Sequence, residues 1–416
     1  MQKSDLKSIR DLLKQDDESL LEIKEEKEKE KVNYSYFGEA TSYLQSKNQT
    51  PIKVNIYGDF SHFEKATAYF MLKKAGVFFQ EAIDKNFDIG WFWDPRITIS
   101  KTVPKIRERS KKVRLINFFL KDTSKDFVAK TVEEHFGYTF KVDPNTYQGY
   151  CIAKHNGNGT KSCFFLKCPI NADEIFHDHC YQKIINFSSP TERDVLFEIR
   201  VPIFRNIIPF VFFKRRSKGL RFTSKNRSMT ISKALDYLSA EECESIISYC
   251  QKVGLEYGEL DILRCDESGK IYIIDVNNTP WWPPNNLGDI DRNIALNLMW
   301  NAFLEGFLPQ KFANYHIPDA NIDDFVPENK PRGPKKVFCY NEIKFVSTKP
   351  YSFNYVELLK EYHKSLPKIV PKLNTSKPPP TPPKGKDDKS KNDKNEKNQP
   401  RSLISNFLST ITPFSI

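Results

Sequence analysis

The chain has 416 residues, 39% of them hydrophobic and 13% aromatic, which is ample for a sizeable core and, at about 100–200 residues per domain, for two or three packing units. No run of about 18 apolar residues occurs and the N-terminus is a charged stretch without a signal-peptide pattern, so a helical membrane span is excluded and the cytoplasm is the expected location. A net charge of +11 suits nucleic acid, anionic surfaces or phosphorylated substrates; the basic residues are scattered without an aromatic-basic platform, which argues against nucleic acid.

Residues 1–32 alternate acids and bases through Lys24-Glu25-Glu26-Lys27-Glu28-Lys29, with Leu12, Leu13, Leu20 and Leu21 as the main apolar material, a solvated helix at most. Ile52 to Gly58 reads as a strand, Phe63 to Ala75 as a helix stopped by Gly76, and Ile89 to Trp93 and Arg114 to Phe119 as further strands, together a small α/β layer. Lys125 to Phe136 is helical and Tyr150 to Lys154 a strand. Lys154-His155-Asn156-Gly157-Asn158-Gly159-Thr160-Lys161 then ends that strand on a lysine and offers alternate glycines before the strand Cys163 to Leu166. Glycines at that spacing let backbone N–H groups approach a phosphate closely, and the lysine can meet its charge; an ordinary mobile turn has the same composition. A helix near 171–180, strands at 182–187, 195–204 and 207–214, and a helix at 239–253 follow, with Phe303 to Ile317 closing the unit. Eight cysteines carry no C-x-x-C pair and read as reduced and mostly buried, and His177-Asp178-His179-Cys180 has no second cluster at zinc spacing. From 364 the chain is Pro- and Lys-rich and expected to be disordered. Its end, Leu403 to Ile416, is a short apolar peptide with the look of a docking motif or a plain tail.

The most informative stretch is Glu259-Leu260-Asp261-Ile262-Leu263-Arg264 followed by Lys270-Ile271-Tyr272-Ile273-Ile274-Asp275-Val276-Asn277. Asp266-Glu267-Ser268-Gly269 is a turn sequence between two apolar runs, so the segment reads as an antiparallel hairpin that brings Asp261 near Asp275. Carboxylates beside Leu, Ile and Val are costly to bury unless neutralised. A divalent cation would do so, with Asn277 adding a carbonyl on the same strand face as Asp275 and phosphates and water completing a magnesium shell.

In order, the lysine-glycine loop, Tyr181-Gln182-Lys183-Ile184, the Glu198-Ile199-Arg200-Val201 strand and the Asp261/Asp275-x-Asn277 hairpin resemble the ATP-grasp superfamily over about residues 115–290. The resemblance implies an α+β ATP-grasp fold with a small N-terminal α/β (pre-ATP-grasp-like) domain and disordered termini. The expected divisions are a charged segment 1–45, the α/β domain 46–120, the ATP-grasp domain 121–317, an extension 318–363 and the tail 364–416. It assigns Lys154, Asn156, Gly157, Gly159 and Thr160 to the β- and γ-phosphates, with Lys125 as a second phosphate-side lysine, and Gln182, Lys183 and Ile184 to the adenine slot. It assigns Arg200 to the transferring phosphoryl group, with Lys214 and Arg215 as second choices, a role that suits guanidinium donors. Asp261, Asp275 and Asn277 are the implied ligands of Mg2+ or Mn2+. Most members carry Glu where this chain has Asp275; the shorter arm draws a metal towards the strand and leaves one or two ions open. Trp281 and Trp282 fall where substrate-specificity residues lie in the superfamily, although core packing accounts for them equally well.

The implied activity is ATP-dependent activation of a carboxylate as an acyl phosphate for attack by an amine or other nucleophile, with ATP, a carboxylate and an acceptor as partners and Lys154 and Arg200 offsetting transition-state charge. A kinase acting on a sugar or small-molecule hydroxyl, and a non-catalytic scaffold of the same fold, are the alternatives.

Overall fold

The computed structural model describes residues 50–81, 87–94, 114–157, 163–188, 194–221, 226–281, 287–318, 320–321 and 337–349, with a few positions between 357 and 364. The chain divides into two compact units, Met1–Leu359 and Lys360–Ile416. The second falls almost wholly outside the described residues, as do residues 1–45 and nearly all of the 364–416 tail. The stretches 46–120 and 121–317 lie together in the first unit.

The first unit opens with β1 (Lys53–Gly58), α1 (Phe60–Phe63), α2 (Thr67–Lys74), β2 (Phe78–Glu81), β3 (Ile89–Trp93) and β4 (Leu115–Ile116). The strands form a parallel sheet in the order β2-β1-β3-β4. β3 is buried at every position and β1 along its middle, which is why both read as continuous apolar runs. Gly58 ends β1 at φ +126°, and a Cβ there would lie 2.2 Å from the Trp93 carbonyl oxygen. Next comes α3 (Lys125–Phe136), begun by the Ser124 hydroxyl and ended by Gly137 in the left-handed region. β5 (Gly149–His155), β6 (Cys163–Cys168) and β7 (His179–Lys183) make a small antiparallel sheet in the order β6-β5-β7. β8 (Val195–Phe204), β9 (Ile207–Ile208), β10 (Val211–Ser217), β11 (Ser228–Ser232), α4 (Ala240–Val253), β12 (Tyr257–Arg264) and β13 (Ile271–Asn277) follow. They build a central antiparallel sheet ordered β11-β10-β8-β12-β13. α5 (Asp289–Phe307) and α6 (Pro309–Tyr315) come next, then short β14 (Ala320–Asn321), β15 (Val337–Phe338), α7 (Tyr340–Ile343) and β16 (Phe345–Val346), the last pairing with β9. The mixed α+β class is as the sequence indicates, and no described helix is long and apolar enough to cross a membrane.

One aromatic core joins the parallel and central sheets to α5. The Trp91 ring lies 4.6 Å from Tyr257 and 5.5 Å from Phe303, which stacks on Trp300. Rings at these separations contribute beyond their buried area. Buried Glu256, at the entry to β12, binds the Arg114 guanidinium and accepts the Asn117 N–H at 3.1 Å, while the Asn117 amide bonds the Tyr257 carbonyl at 2.7 Å.

Several sequence expectations are revised. The strand expected over Arg114–Phe119 stops at Ile116, because Asn117 takes φ 62° to reach Glu256 and Tyr257. The helix expected over Phe63–Ala75 begins only at Thr67, after the short α1 ending at Phe63; Ala66 pairs with Trp281 and the Thr67 N–H donates to the Pro280 carbonyl at 3.0 Å, so the chain straightens between them. Of the helix expected near 171–180 only a single 3-10 turn forms, Ala172–Glu174, and β7 begins at His179. The 207–214 strand is broken at Pro209, between β9 and β10. Five of the eight cysteines are buried and all are free thiols.

Candidate functional site

The β10-β8-β12-β13 ladder sets charged residues opposite one another in rows. Lys214 faces Glu198; Arg200 faces Asp261, which faces Asp275; Glu259 faces Asn277. The register between β12 and β13 slips between Asp261 and Ile262, leaving Ile274 as the extra residue of a bulge beside the acid pair. Bulges re-aim side chains in this way. Like charges directly opposite on a sheet repel, so the two aspartates require cations.

Each has them. Asp261 is gripped by the Arg200 guanidinium through Nε at 2.7 Å and Nη2 at 2.9 Å, and by Lys214 Nζ at 2.8 Å. Lys214 also donates to Glu198 at 2.5 Å, and Arg216 Nη2 meets the other Glu198 oxygen at 3.1 Å. Arg200 Nη1 reaches Glu259 at 3.3 Å. Asp275 pairs with Lys125, delivered by the first turn of α3. The lattice grades from closed to open: the Lys214 side chain is 3% exposed and that of Asp275 25%.

Environment separates the acids. Burial alone would raise Asp261, but Arg200 and Lys214 hold it well below the usual carboxylate range; burial would lower Arg200, and Asp261 instead raises it. Glu259, more weakly paired, is pushed up to about 7 by burial against the opposing pull of Arg200. Its Oε1 is buried with no well-formed hydrogen bond among the described residues, the Thr67 hydroxyl being the weakest of the groups that favour its charge. Lys154 arrives from β5, and its ammonium forms no hydrogen bond among the described residues. Burial, and then the neighbouring Lys125 ammonium, lower its pKa, with Asp275 opposing.

Of the residues singled out by sequence, Asp261, Asp275, Asn277, Arg200, Lys214, Lys125 and Lys154 therefore come together. Arg215 does not. It lies opposite Phe197 with its guanidinium 5.8 Å from that ring, on the reverse face of β10 from Lys214. Asn156 accepts the Lys125 N–H on its carbonyl at 3.0 Å and the Asp126 N–H on its side-chain oxygen at 2.8 Å, tying the end of β5 to the start of α3. The Gly157 N–H turns back to His155 Nδ1 at 3.0 Å. Gly159 and Thr160 lie outside the described residues. Gln182 is buried with Nε2 3.8 Å from Cys180 Sγ, Ile184 is half-buried, and Lys183 stands 5.0 Å over the Tyr272 ring with its N–H bonded to the Phe140 carbonyl at 2.8 Å. These three sit at the end of β7, apart from the ion lattice. Glu198, Arg216 and Glu259 belong to the lattice although sequence does not single them out; the signal was the i, i+2 charge spacing in Glu198-x-Arg200, Lys214-x-Arg216 and Glu259-x-Asp261.

The donor set fits magnesium of one kind. Among the described residues no three His, Cys, Asp or Glu side chains form a metal-holding group, so an all-protein cage is not offered. Two carboxylates and an amide carbonyl on adjacent strands suit a magnesium ion that takes the rest of its shell from phosphate and water. Four cations converging on this face, with Lys125 close enough to lower the pKa of Lys154, suit a polyanion.

Trp281, four residues past Asn277, is 56% exposed; Trp282 to Asn286 lie outside the described residues. Asp178 bridges His179 Nδ1 at 2.6 Å and His155 Nε2 at 3.4 Å.

Among solved structures the chain is similar to the ATP-grasp ligase PsnB complexed with minimal precursor, Mg and ADP, at 13% identity and a TM-score of 0.38, covering 60% of this chain and 98% of that one. It is similar to macrocyclase MdnC bound with precursor peptide MdnA from Microcystis aeruginosa, at 11% identity and a TM-score of 0.38, covering 62% and 99%. A third likeness is to the L-amino acid ligase from Bacillus licheniformis, at 10% identity and a TM-score of 0.38, covering 65% and 78%. No protein-family model and no curated protein sequence matches.

Proposed function

We propose that this chain is an ATP-grasp enzyme, a ligase that uses Mg-ATP to activate a carboxylate as an acyl phosphate for attack by an amine or other nucleophile. The observation that carries the reading is the convergence of Lys125, Lys154, Arg200 and Lys214 on the Asp261/Asp275 pair, on one face of one sheet. Phosphoryl transfer asks a protein mainly for positioning and electrostatic stabilisation, and this face supplies both.

A bound magnesium ion would supply neutralisation of the charge that develops on the phosphates. Asp261, Asp275 and Asn277 are the residues that would hold it. Lys154 and Lys125 meet the phosphates of the nucleotide. Arg200 has the planar donors to grip the transferring group, and Glu259 and Asp261 keep its guanidinium oriented from behind. In the first step a carboxylate oxygen of the substrate takes the terminal phosphoryl group and ADP departs with the electrons of the broken P–O bond. In the second, the lone pair of the nucleophile attacks the carbonyl carbon, the C–O bond to phosphate breaks, and inorganic phosphate leaves.

Calorimetric titration with ATP, with and without magnesium, tests the reading. Magnesium-dependent binding in the wild type, lost in Asp275→Ala and weakened at least about tenfold in Lys154→Ala, is expected, a factor of ten being about 1.4 kcal/mol. A folded wild type that binds no ATP would overturn it.

A further inference from the structure

The parallel sheet and the acid-bearing strand meet at one imidazole. The Trp281 Nε1–H donates to His62 Nε2 at 2.6 Å, and the Trp93 Nε1–H points at His62 Nδ1 from 3.4 Å. An indole nitrogen is only ever a donor, and a neutral imidazole has one nitrogen with a free lone pair. The shorter contact places that lone pair on Nε2, so the proton sits on Nδ1. An imidazolium has no lone pair and would turn N–H groups towards both indoles. Since Nδ1–H already faces Trp93 from 3.4 Å in the neutral ring, what protonation adds is an Nε2–H against the Trp281 N–H at 2.6 Å, and Trp281 is the indole that must yield. Trp93 is fully buried, with its ring 5.2 Å from Phe63 and 5.5 Å from Trp91. Trp281 is more than half exposed.

The backbone of Trp281 would stay where it is. It pairs with Ala66, and the Thr67 hydroxyl donates to its carbonyl at 3.2 Å. That same Thr67 acts on Glu259, and Trp281 follows Asn277 by four residues. Through Thr67 the Trp281 backbone is thus tied to the Glu259 side of the ion lattice, and its side chain alone is free to swing.

We propose that His62 is a positioning residue: neutral, it fixes the Trp281 indole as a wall beside Glu259 and the end of β13, and protonated, it releases that wall. The identification of this edge as the side on which the acceptor enters rests on the ATP-grasp reading; the latch does not. The charged groups that act on the ring are Asp59, whose carboxylate accepts the His62 backbone N–H at 3.0 Å, Asp94 just past β3, and Lys65, whose ammonium stands 5.9 Å over the Trp281 ring. The two acids favour the imidazolium. Burial and Lys65 oppose it, and the balance lies below the ordinary histidine value, so the latch is shut at neutral pH.

Acrylamide quenching of tryptophan fluorescence, on the full chain without nucleotide, tests the latch between about pH 8 and about pH 5, spanning the histidine range. The wild type is expected to show one step towards greater quenching below the ordinary histidine value. Trp281→Phe should abolish that step. His62→Asn should abolish it too while keeping the quenching of the wild type at pH 8, because the amide oxygen still accepts the indole N–H; His62→Ala should be quenched more at every pH. A step that survives in Trp281→Phe or in His62→Asn overturns the proposal, as does a wild type with no step. Trp281→Phe alters an exposed side chain, so it decides the matter even where a His62 variant fails to fold. If ATP binds, the acceptor KM should rise severalfold with the same midpoint while kcat holds, and be flat with pH in His62→Asn; a KM indifferent to the step removes the acceptor-side assignment. Failure of ATP to bind would leave the fluorescence result standing, which separates the two readings.

Discussion

Lys214 is the deepest cation of the lattice, bridging Glu198 at 2.5 Å and Asp261 at 2.8 Å. Lys214→Met keeps the aliphatic stem that packs in the sheet and deletes the charge. Three acids, Glu198, Glu259 and Asp261, then share two cations, Arg200 and Arg216. Removing one partner from a buried pair costs about 3–5 kcal/mol. The lower end, about 3 kcal/mol, applies here, because Arg216 still holds Glu198 and Arg200 still holds Asp261. Adding Glu198→Gln removes the surplus charge, and Arg216 keeps Asn226 Oδ1 at 3.2 Å and the Arg221 carbonyl at 3.4 Å as partners. The double variant should therefore recover to within about 1 kcal/mol of wild type, about 2 kcal/mol above Lys214→Met, and any loss in Glu198→Gln alone adds to the coupling. Urea unfolding of the nucleotide-free protein, followed by circular dichroism, measures all four corners of the cycle. If the double variant is as unstable as Lys214→Met, charge balance is not what holds the lattice together.

Gly137 and Gly254 both end helices at positive φ, but a Cβ on Gly137 meets nothing within 4 Å, whereas one on Gly254 would sit 2.4 Å from the Phe119 carbonyl oxygen. Gly137→Ala should cost only the left-handed backbone penalty, about 1 kcal/mol, and Gly254→Ala at least about 2 kcal/mol more; equal losses of urea midpoint would refute the clash. Glu259 has a folded pKa raised from the ordinary 4.5 to about 7, so between those values the fold binds a proton that the unfolded chain has lost. Its contribution to stability is complete below about pH 4.5 and is lost as pH rises through about 7. Relative to Glu259→Gln, the wild type should lose stability between about pH 5 and about pH 7.5, and a difference that stays constant across that span would contradict the assignment.

Much of the site was readable because its signals are local. The short turn at Asp266 to Gly269 brings Asp261 near Asp275, but the regular register it sets would place Asp261 opposite Ile274, and the bulge makes Asp275 its partner. The bulge at Ile274 left no such mark. Lys214 and Arg215 read as equals in sequence; only the register with β8, fixed across a connection broken at Pro209, sends one to the acids and the other to Phe197. The break between α1 and α2 is dictated by Pro280 and Trp281, more than two hundred residues away, and the His62 contact with Trp281 has the same reach. No periodicity within a window of the chain carries such information. Asn117 is a similar case: its left-handed turn serves the buried Glu256, which local propensity cannot see.

Asn156 carries no charge, yet it sets how far apart two charges stand. By bonding the first two N–H groups of α3 from the end of β5, it fixes Lys125 and Lys154 on their separate elements at a distance where they repel. Folding meets the cost of that repulsion once, before any ligand arrives. An anion lodged between the two ammonium groups cancels it, so part of the binding free energy is released strain and not new contact. The same cancellation raises the proton affinity of Lys154. Under alkaline conditions, where that lysine has begun to deprotonate, occupation of the site draws a proton in from solvent, and by reciprocity the occupancy of the site falls as pH climbs.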